Sequence, residues 1–216
     1  MKTNTTESYF SFDDKRREVV FHRHDMPTPW LNYLTNGTLT AMISQAGGGL
    51  TFYRSPQIWR ISRYKFYNIP MDRGGLYFYI VDKGSGEFWS PTFEPCRLRP
   101  ERWQSAHGMG YTRFRAERNG VSVELKYFIG PKENALICDL ILRSVRPVCL
   151  TVYAFVELGM MEYLREVQWQ CYNKHQLSVD YDAVNDALIY TYGVDSQPRP
   201  QDTPLVYFAG SRKCTA

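Results

Sequence analysis

The densest chemistry in the 216-residue chain lies between Tyr53 and Asp72 (YRSPQIWRISRYKFYNIPMD). There Arg54, Arg60, Arg63 and Lys65 interleave with Trp59, Tyr64, Phe66 and Tyr67, and no acid intervenes before Asp72. Arginine and aromatics alternating in this way suit single-stranded nucleic acid, an anionic sugar or phosphate, or a protein partner. The plainer reading is an edge strand with a solvated basic face. Just upstream, Gly47-Gly48-Gly49 invites comparison with a phosphate loop. It lacks the G-x-x-x-x-G-K-[ST] spacing, and no helix follows to offer its N-terminus to an anion. A tight backbone turn is the simpler role, since glycine allows conformations and approaches that a Cβ forbids.

The other reactive side chains point less clearly to a site. His107, in the Gly-flanked string His107-Gly108-Met109-Gly110-Tyr111, reads as a turn histidine. An acid–base role would call for a nucleophile and an orienting group nearby, and the sequence offers neither. His22 and His24 are two apart, which in a strand puts both on one face, but a third metal ligand is not evident. Glycosidase-like chemistry needs a positioned Asp or Glu. Asp72, Glu94, Glu124 and Glu157 fall on turns or alternating strands with nothing to single one out, so the residues alone nominate no catalyst. Cys96, Cys138, Cys149, Cys171 and Cys214 are odd in number and hold no C-x-x-C pair. They read as free thiols in a reducing compartment rather than a disulfide or zinc framework.

The elements that must carry these residues are strands nearly throughout. Tyr111–Arg118 and Val121–Ile129 flank Asn119-Gly120, the strongest short hairpin signal, because a type I′ turn needs positive φ at both central residues. On the second run Val121, Val123, Leu125, Tyr127 and Ile129 share the face expected to be buried. Leu76–Val81 and Glu87–Ser90 flank the turn-rich string Asp82–Gly86, a second hairpin. Further strands are expected at Thr38–Ser44, Leu50–Tyr53, Ala135–Ser144, Cys149–Glu157, Gln176–Tyr181, Ala187–Tyr192 and Leu205–Ala209. Only Leu158–Cys171 has helical spacing. Strands at this interval, without βαβ alternation, predict an antiparallel β-sandwich. The Pro-rich Ser196–Pro200 stretch reads as a loop of the same domain.

Composition narrows the class. The chain is 44% hydrophobic and 22% charged, with mean hydropathy −0.42, which fits a soluble globular domain rather than a disordered one. Apolar runs stay short of the roughly 18 residues of a membrane-spanning helix, and MKTNTTESYFSFDDKRR lacks the apolar stretch of a secretory signal. A cytoplasmic protein without membrane contact is expected. Net charge is +4 and dispersed, which argues against nucleic acid. Aromatics make up 15%, with 16 Tyr, which suits both strands and sugar ligands.

Several motifs together resemble one family. Arg17-Glu18-Val19-Val20 follows Asp13-Asp14, and Thr28–Leu34 (TPWLNYL), Gln45-Ala46-Gly47-Gly48 and Phe52-Tyr53-Arg54 come next. Ser62-Arg63-Tyr64, Tyr67-Asn68-Ile69-Pro70, Asp72, Trp89-Ser90-Pro91-Thr92, His107–Arg113 (HGMGYTR) and Phe155-Val156-Glu157 continue the series. In this order, from about Tyr9 onward, they are similar to the N-terminal region of cellobiose phosphorylases, glycoside hydrolase family 94. The resemblance implies an all-β fold, a large antiparallel β-supersandwich of the galactose mutarotase-like type spanning 1–216. In that family a helical linker and an (α/α)₆ barrel follow, and the barrel carries the general acid Asp and the phosphate ligands. It further implies inverting phosphorolysis of a β-glucoside to α-glucose 1-phosphate, a homodimer, and no cofactor beyond phosphate as co-substrate. The catalytic residues are then expected outside this chain, and the supersandwich is expected to continue past Ala216. Gly47, Gly48, Gly49, Tyr53, Arg54, Arg60 and Arg63 are the candidates for its active-site rim. Gly49-Leu50 stand where cellobiose-type members commonly have Tyr, so the acceptor sugar stays open. A stand-alone carbohydrate-binding sandwich is the alternative.

Overall fold

The computed structural model describes residues 8–63, 74–168, 175–192 and 205–211. Tyr64, Lys65, Phe66, Tyr67, Asp72, Cys171, Cys214 and the Ser196–Pro200 stretch lie outside the described residues. The strands are β1 (Phe10–Asp13), β2 (Glu18–Phe21), β3 (Leu31–Thr35), β4 (Leu39–Ser44), β5 (Gly49–Tyr53), β6 (Arg60–Ser62), β7 (Leu76–Asp82) and β8 (Phe88–Trp89). They continue with β9 (Arg102–Gly108), β10 (Tyr111–Arg118), β11 (Val121–Ile129), β12 (Leu136–Ser144), β13 (Leu150–Val156) and β14 (Leu158–Met161). One short helix, α1 (Tyr163–Gln168), precedes β15 (Leu177–Asp182), β16 (Ala187–Tyr192) and β17 (Val206–Ala209). Within the described part of Leu158–Cys171, the helical spacing yields a helix over Tyr163–Gln168. Its first residues are instead recruited as a strand by pairing with β6.

Among the described residues every strand pairing is antiparallel, and β1 to β14 form two layers. The first is the sheet β1-β2-β9-β10-β11-β12. Asn119 and Gly120 take φ of 51° and 72°, so the β10–β11 hairpin closes as the type I′ turn its sequence demands. The second layer joins β14-β6-β5-β4-β3 to β13-β7-β8. Leu150–Val156 pairs with β7 from Asp82 back to Leu76, and two residues on Leu158 pairs with Ser62. Strands β6 and β7 therefore lie end to end along one continuous neighbour. The meander β15-β16-β17 forms its own three-stranded sheet.

Alternation drives the packing of layer on layer. From β10 and β11, Phe114, Leu125 and Tyr127 meet Leu34, Ala41 and Ile43 of β3–β4 and Phe78 of β7. Beside them Ala116, Val121 and Val123 meet Ile80 and Trp89. Burying an aromatic with a hydroxyl requires a partner, and Tyr127 donates its O–H to the Leu76 carbonyl of the opposite layer at 2.8 Å.

A second polar tie crosses at His107. The sequence places it in a turn, whereas it stands within β9, and Met109-Gly110 makes the turn. Its Nε2 lies 2.9 Å from the Trp30 carbonyl and its Nδ1 3.2 Å from Thr112 Oγ1. Asn32 Nδ2 in turn reaches the carbonyls of Gly108 and Tyr111 at 3.1 and 2.9 Å. A neutral ring donating at Nε2 and accepting at Nδ1 satisfies both contacts. His22 and His24 do not share a face, because β2 ends at Phe21. His22 Nε2 bonds Ser11 Oγ, while His24 stacks on Phe93 at 3.7 Å.

Two outcomes are expected. Burial pushes the His107 pKa down from 6.5 to about 4, the bond to Trp30 opposing it only in part. The unfolded chain therefore takes up a proton near pH 6.5 that the folded chain refuses until about pH 4. Stability is full above that window and falls as pH drops through it, by up to about 1.4 kcal/mol per pH unit. Urea denaturation between pH 4 and 7 should show a shallower slope for His107→Gln, by about one proton. His24, also lowered by burial, adds in the same direction in both proteins. Separately, β12 and β13 each end their sheets, and β13 exposes Tyr153 and Phe155. Unpaired apolar edges promote association, so the 216-residue chain should elute earlier from size-exclusion columns as its concentration rises.

Candidate functional site

The rim candidates occupy one region of the second layer, where β4, β5 and β6 meet β14. Gly47, Gly48 and Gly49 are all buried. Gly47 has φ +99°, and a Cβ there would stand 2.5 Å from Thr92 Cβ. At Gly49 a Cβ would come within 2.0 Å of the Met42 carbonyl oxygen. The glycines bond along their backbones, with Ser44 N–H donating to Gly48 O at 2.8 Å and Gly49 N–H to Gly74 O at 2.9 Å. The close approach that triple glycine permits is thus made here by the chain itself. Gly75, at φ +114°, completes the contact from the start of β7.

Arg60 and Arg63 lie inside the domain. Arg60 is 1% exposed, with its guanidinium 5.0 Å from the Tyr163 ring centre, so α1 covers it with an aromatic face. Arg63 is 6% exposed. Its Nη1 donates to Glu157 Oε1 at 2.8 Å, and its backbone N–H donates to Glu157 O, also at 2.8 Å. Buried cations need such partners, because desolvation costs several kcal/mol per ion.

Tyr53 and Arg54 differ from the rest of the set in reaching solvent. Tyr53 ends β5, its N–H donating to Trp59 O at 2.9 Å. Arg54 follows at φ +58°, a left-handed conformation that costs a non-glycine residue. Its N–H is held by Thr38 O at 2.6 Å, and its guanidinium sits 5.1 Å from the Tyr53 ring centre. The backbone turn therefore aims an exposed arginine, stacked on its neighbouring tyrosine, away from the sheet. Stacked, the guanidinium keeps its planar fork of donors for a hydroxyl or phosphate.

Several carboxylates in the described residues pair with arginine. Glu94, buried, pairs with Arg97 at 2.9 Å, Glu124 with Arg115 at 2.6 Å, and Glu157 with Arg63. Arg23 donates to Asp25 and holds its carboxyl down at about 2. Arg146 likewise lowers Asp82. At Asp25 and Asp82 the neighbouring guanidinium favours the ionised form, which is the wrong direction for a general acid near neutral pH. Among the described residues no group of His, Cys, Asp and Glu could hold a metal ion. Sequence reading overlooked the buried Glu18, which Arg113 pairs at 2.8 Å and Tyr111 O–H also bonds. Its place in a short strand paired to β9 gave no composition signal.

This two-layer antiparallel sandwich is the frame that carries these side chains. Comparison with known proteins decides the family. The profile of the glycosyl hydrolase 94 supersandwich domain matches residues 17–212, and the chain belongs to that family. It is 32% identical over 175 residues to an N,N'-diacetylchitobiose phosphorylase of Vibrio proteolyticus, covering 79% of this chain and 21% of the relative. It is 29% identical over 203 residues to a solabiose phosphorylase of Paenibacillus borealis, covering 93% of this chain and 25% of that protein. A 3-O-beta-D-glucopyranosyl-beta-D-glucuronide phosphorylase of the same organism is 30% identical over 126 residues, covering 58% of this chain and 15% of the relative. The chain spans at most a quarter of the length of these relatives.

The packing at Gly49 is open to a direct check. Gly49→Ala should cost more than about 2 kcal/mol or abolish folding, because backbone cannot yield to the added methyl. Gly37→Ala meets nothing within 4 Å at φ +88° and should cost only about 1 kcal/mol. Urea denaturation of both variants measures the contrast.

Proposed function

We propose that this chain is the supersandwich domain of an inverting phosphorylase acting on a β-linked glucosyl disaccharide or oligosaccharide. The observation that carries the reading is the family match over residues 17–212, joined to phosphorylases among the relatives. In the proposed reaction a phosphate oxygen attacks the anomeric carbon from the face opposite the glycosidic oxygen. That oxygen leaves with a proton from an acid outside this chain, giving α-glucose 1-phosphate and the shortened acceptor. Inorganic phosphate is the co-substrate, no other cofactor is called for, and the enzyme works as a cytoplasmic homodimer that this domain supports. The relatives act on differing sugars by name, so the acceptor is a property of the longer protein.

Within this reading the domain serves the active-site rim through Tyr53 and Arg54. Gly47, Gly48 and Gly49 anchor the opposite end of β5 against Met42, Thr92 and Gly75, and Arg60 and Arg63 lie on and just after β6 beside it. A tyrosine face and an arginine fork are the groups a sugar ring and its hydroxyls require.

Two measurements test the proposal. The 216-residue chain should release no glucose 1-phosphate from cellobiose and phosphate above the buffer blank, whereas the longer protein should phosphorolyse a β-linked disaccharide. In that longer protein, Tyr53→Phe and Arg54→Ala should raise KM for sugar by about three- to tenfold with melting temperature nearly unchanged. A large stability loss with unaltered KM would assign the turn to packing instead.

A further inference from the structure

A second polar site lies on the other layer. The outer face of β1, β2, β9 and β10, turned away from the core, forms an open groove of ≈440 Å³ closed at one end by the Asp14–Arg17 turn. That volume falls in the range of small-molecule sites, about 300–1,000 Å³. Ser11 and Asp13 of β1, Glu18 of β2, Gln104 of β9 and Arg113 of β10 line it.

The floor is built and charged. Glu18 has a fully buried side chain and Arg113 a largely buried one, and they pair at 2.8 Å. Arg113 Nε is buried and has no hydrogen-bond partner among the described residues, a deficit that costs free energy in the closed floor. Gln104, half-buried at the groove wall, engages its amide with no described side chain or backbone group. The groove therefore offers, at its wall, the donor and acceptor of one planar amide above a charged floor.

Charge decides the ligand class. Asp13, Asp14 and Glu18 are balanced by Lys15, Arg16 and Arg113, so the lining has no net charge to draw in an anion or a metal ion. A neutral molecule that both donates and accepts at many points meets such a lining best, since each hydroxyl does both. From this arrangement we infer that the groove is a saccharide-binding site for a neutral oligosaccharide, separate from the Tyr53–Arg54 turn. The choice of β-linked glucosides as probes rests on the functional reading above; the groove and its polar floor do not.

Saturation-transfer NMR on the 216-residue chain, observing the sugar, tests this and tolerates self-association. Cellobiose and N,N'-diacetylchitobiose are the probes, with inorganic phosphate as the charged control. Both or either sugar should bind in the millimolar range, with phosphate failing to compete. Gln104→Ala and Arg113→Lys should each weaken binding about three- to tenfold. Gln104→Ala removes only an unengaged half-buried amide, so its melting temperature should not change. Tyr53→Phe and Arg54→Ala, in the other layer, should leave binding intact. No transfer at about 10 mM sugar, binding indifferent to both groove variants, or loss only with the Tyr53 and Arg54 variants would each overturn the proposal. If glucose 1-phosphate release by the longer protein is normal while the groove fails, only the groove is withdrawn. Saccharide binding that the groove variants weaken, in a protein whose longer form does not phosphorolyse, would keep the groove and withdraw the phosphorylase reading.

Discussion

Arg63 and Glu157 meet where the second layer changes partner. The stretch Leu150–Met161 pairs first with β7 and then with β6, although ten residues outside the described structure, 64–73, separate Arg63 from Gly74. The described chain on each side of residues 64–73 is held in register, one foot at Arg63 and the other at Gly74. One foot is held by the Arg63 N–H to Glu157 O bond and by the ion pair above it. The other is held where Gly49 N–H donates to Gly74 O and Gly75 lies against Gly49. With either foot loose, the register of β7 would be free to slip, and a slip of one residue would turn Phe78 and Ile80 out of the core.

That constraint explains why so much charge is buried around it. An ion pair inside a protein is a poor source of net stability, because desolvation offsets most of the attraction. It is nevertheless directional, and breaking it by removing one partner is costly. Arg63–Glu157 in the second layer and Glu18–Arg113 in the first each fix one strand against a neighbour remote in sequence. Apolar contacts, being non-directional, would hold the layers together without specifying which residue faces which. The buried arginines near Tyr53 are thus accounted for by alignment of the sheet, whereas Arg54, whose N–H is held by Thr38 O, keeps its side chain exposed.

Much of the fold was legible because the long central strands obey one rule. In β11 the residues at alternate positions are apolar and buried, and Asn-Gly dictates the turn before it. The edges were less legible. Phe10–Asp13, Glu18–Phe21 and Arg102–Gly108 carry polar or charged residues at positions that pairing, not hydrophobicity, makes extended. His107 looked like a turn residue because glycine brackets it on one side, yet its hydrogen bonds belong to the sheet. The glycine triplet shows the same limit at the candidate site. Glycine reports that something comes close, and only the three-dimensional packing reveals that the close neighbours are Met42, Thr92 and Gly75.

The distribution of carboxylates bears on how labour is divided in a protein of this family. An acid catalyst needs its proton retained near neutral pH, by burial or by a like charge. In this chain the opposite environment recurs: Arg23 holds the Asp25 carboxyl down, and Arg146 that of Asp82. Pairing of this kind stabilises strands and turns but removes the proton from use. Acids committed in this way hold turns and strand ends in place, which is a structural use of charge rather than a proton-transfer one.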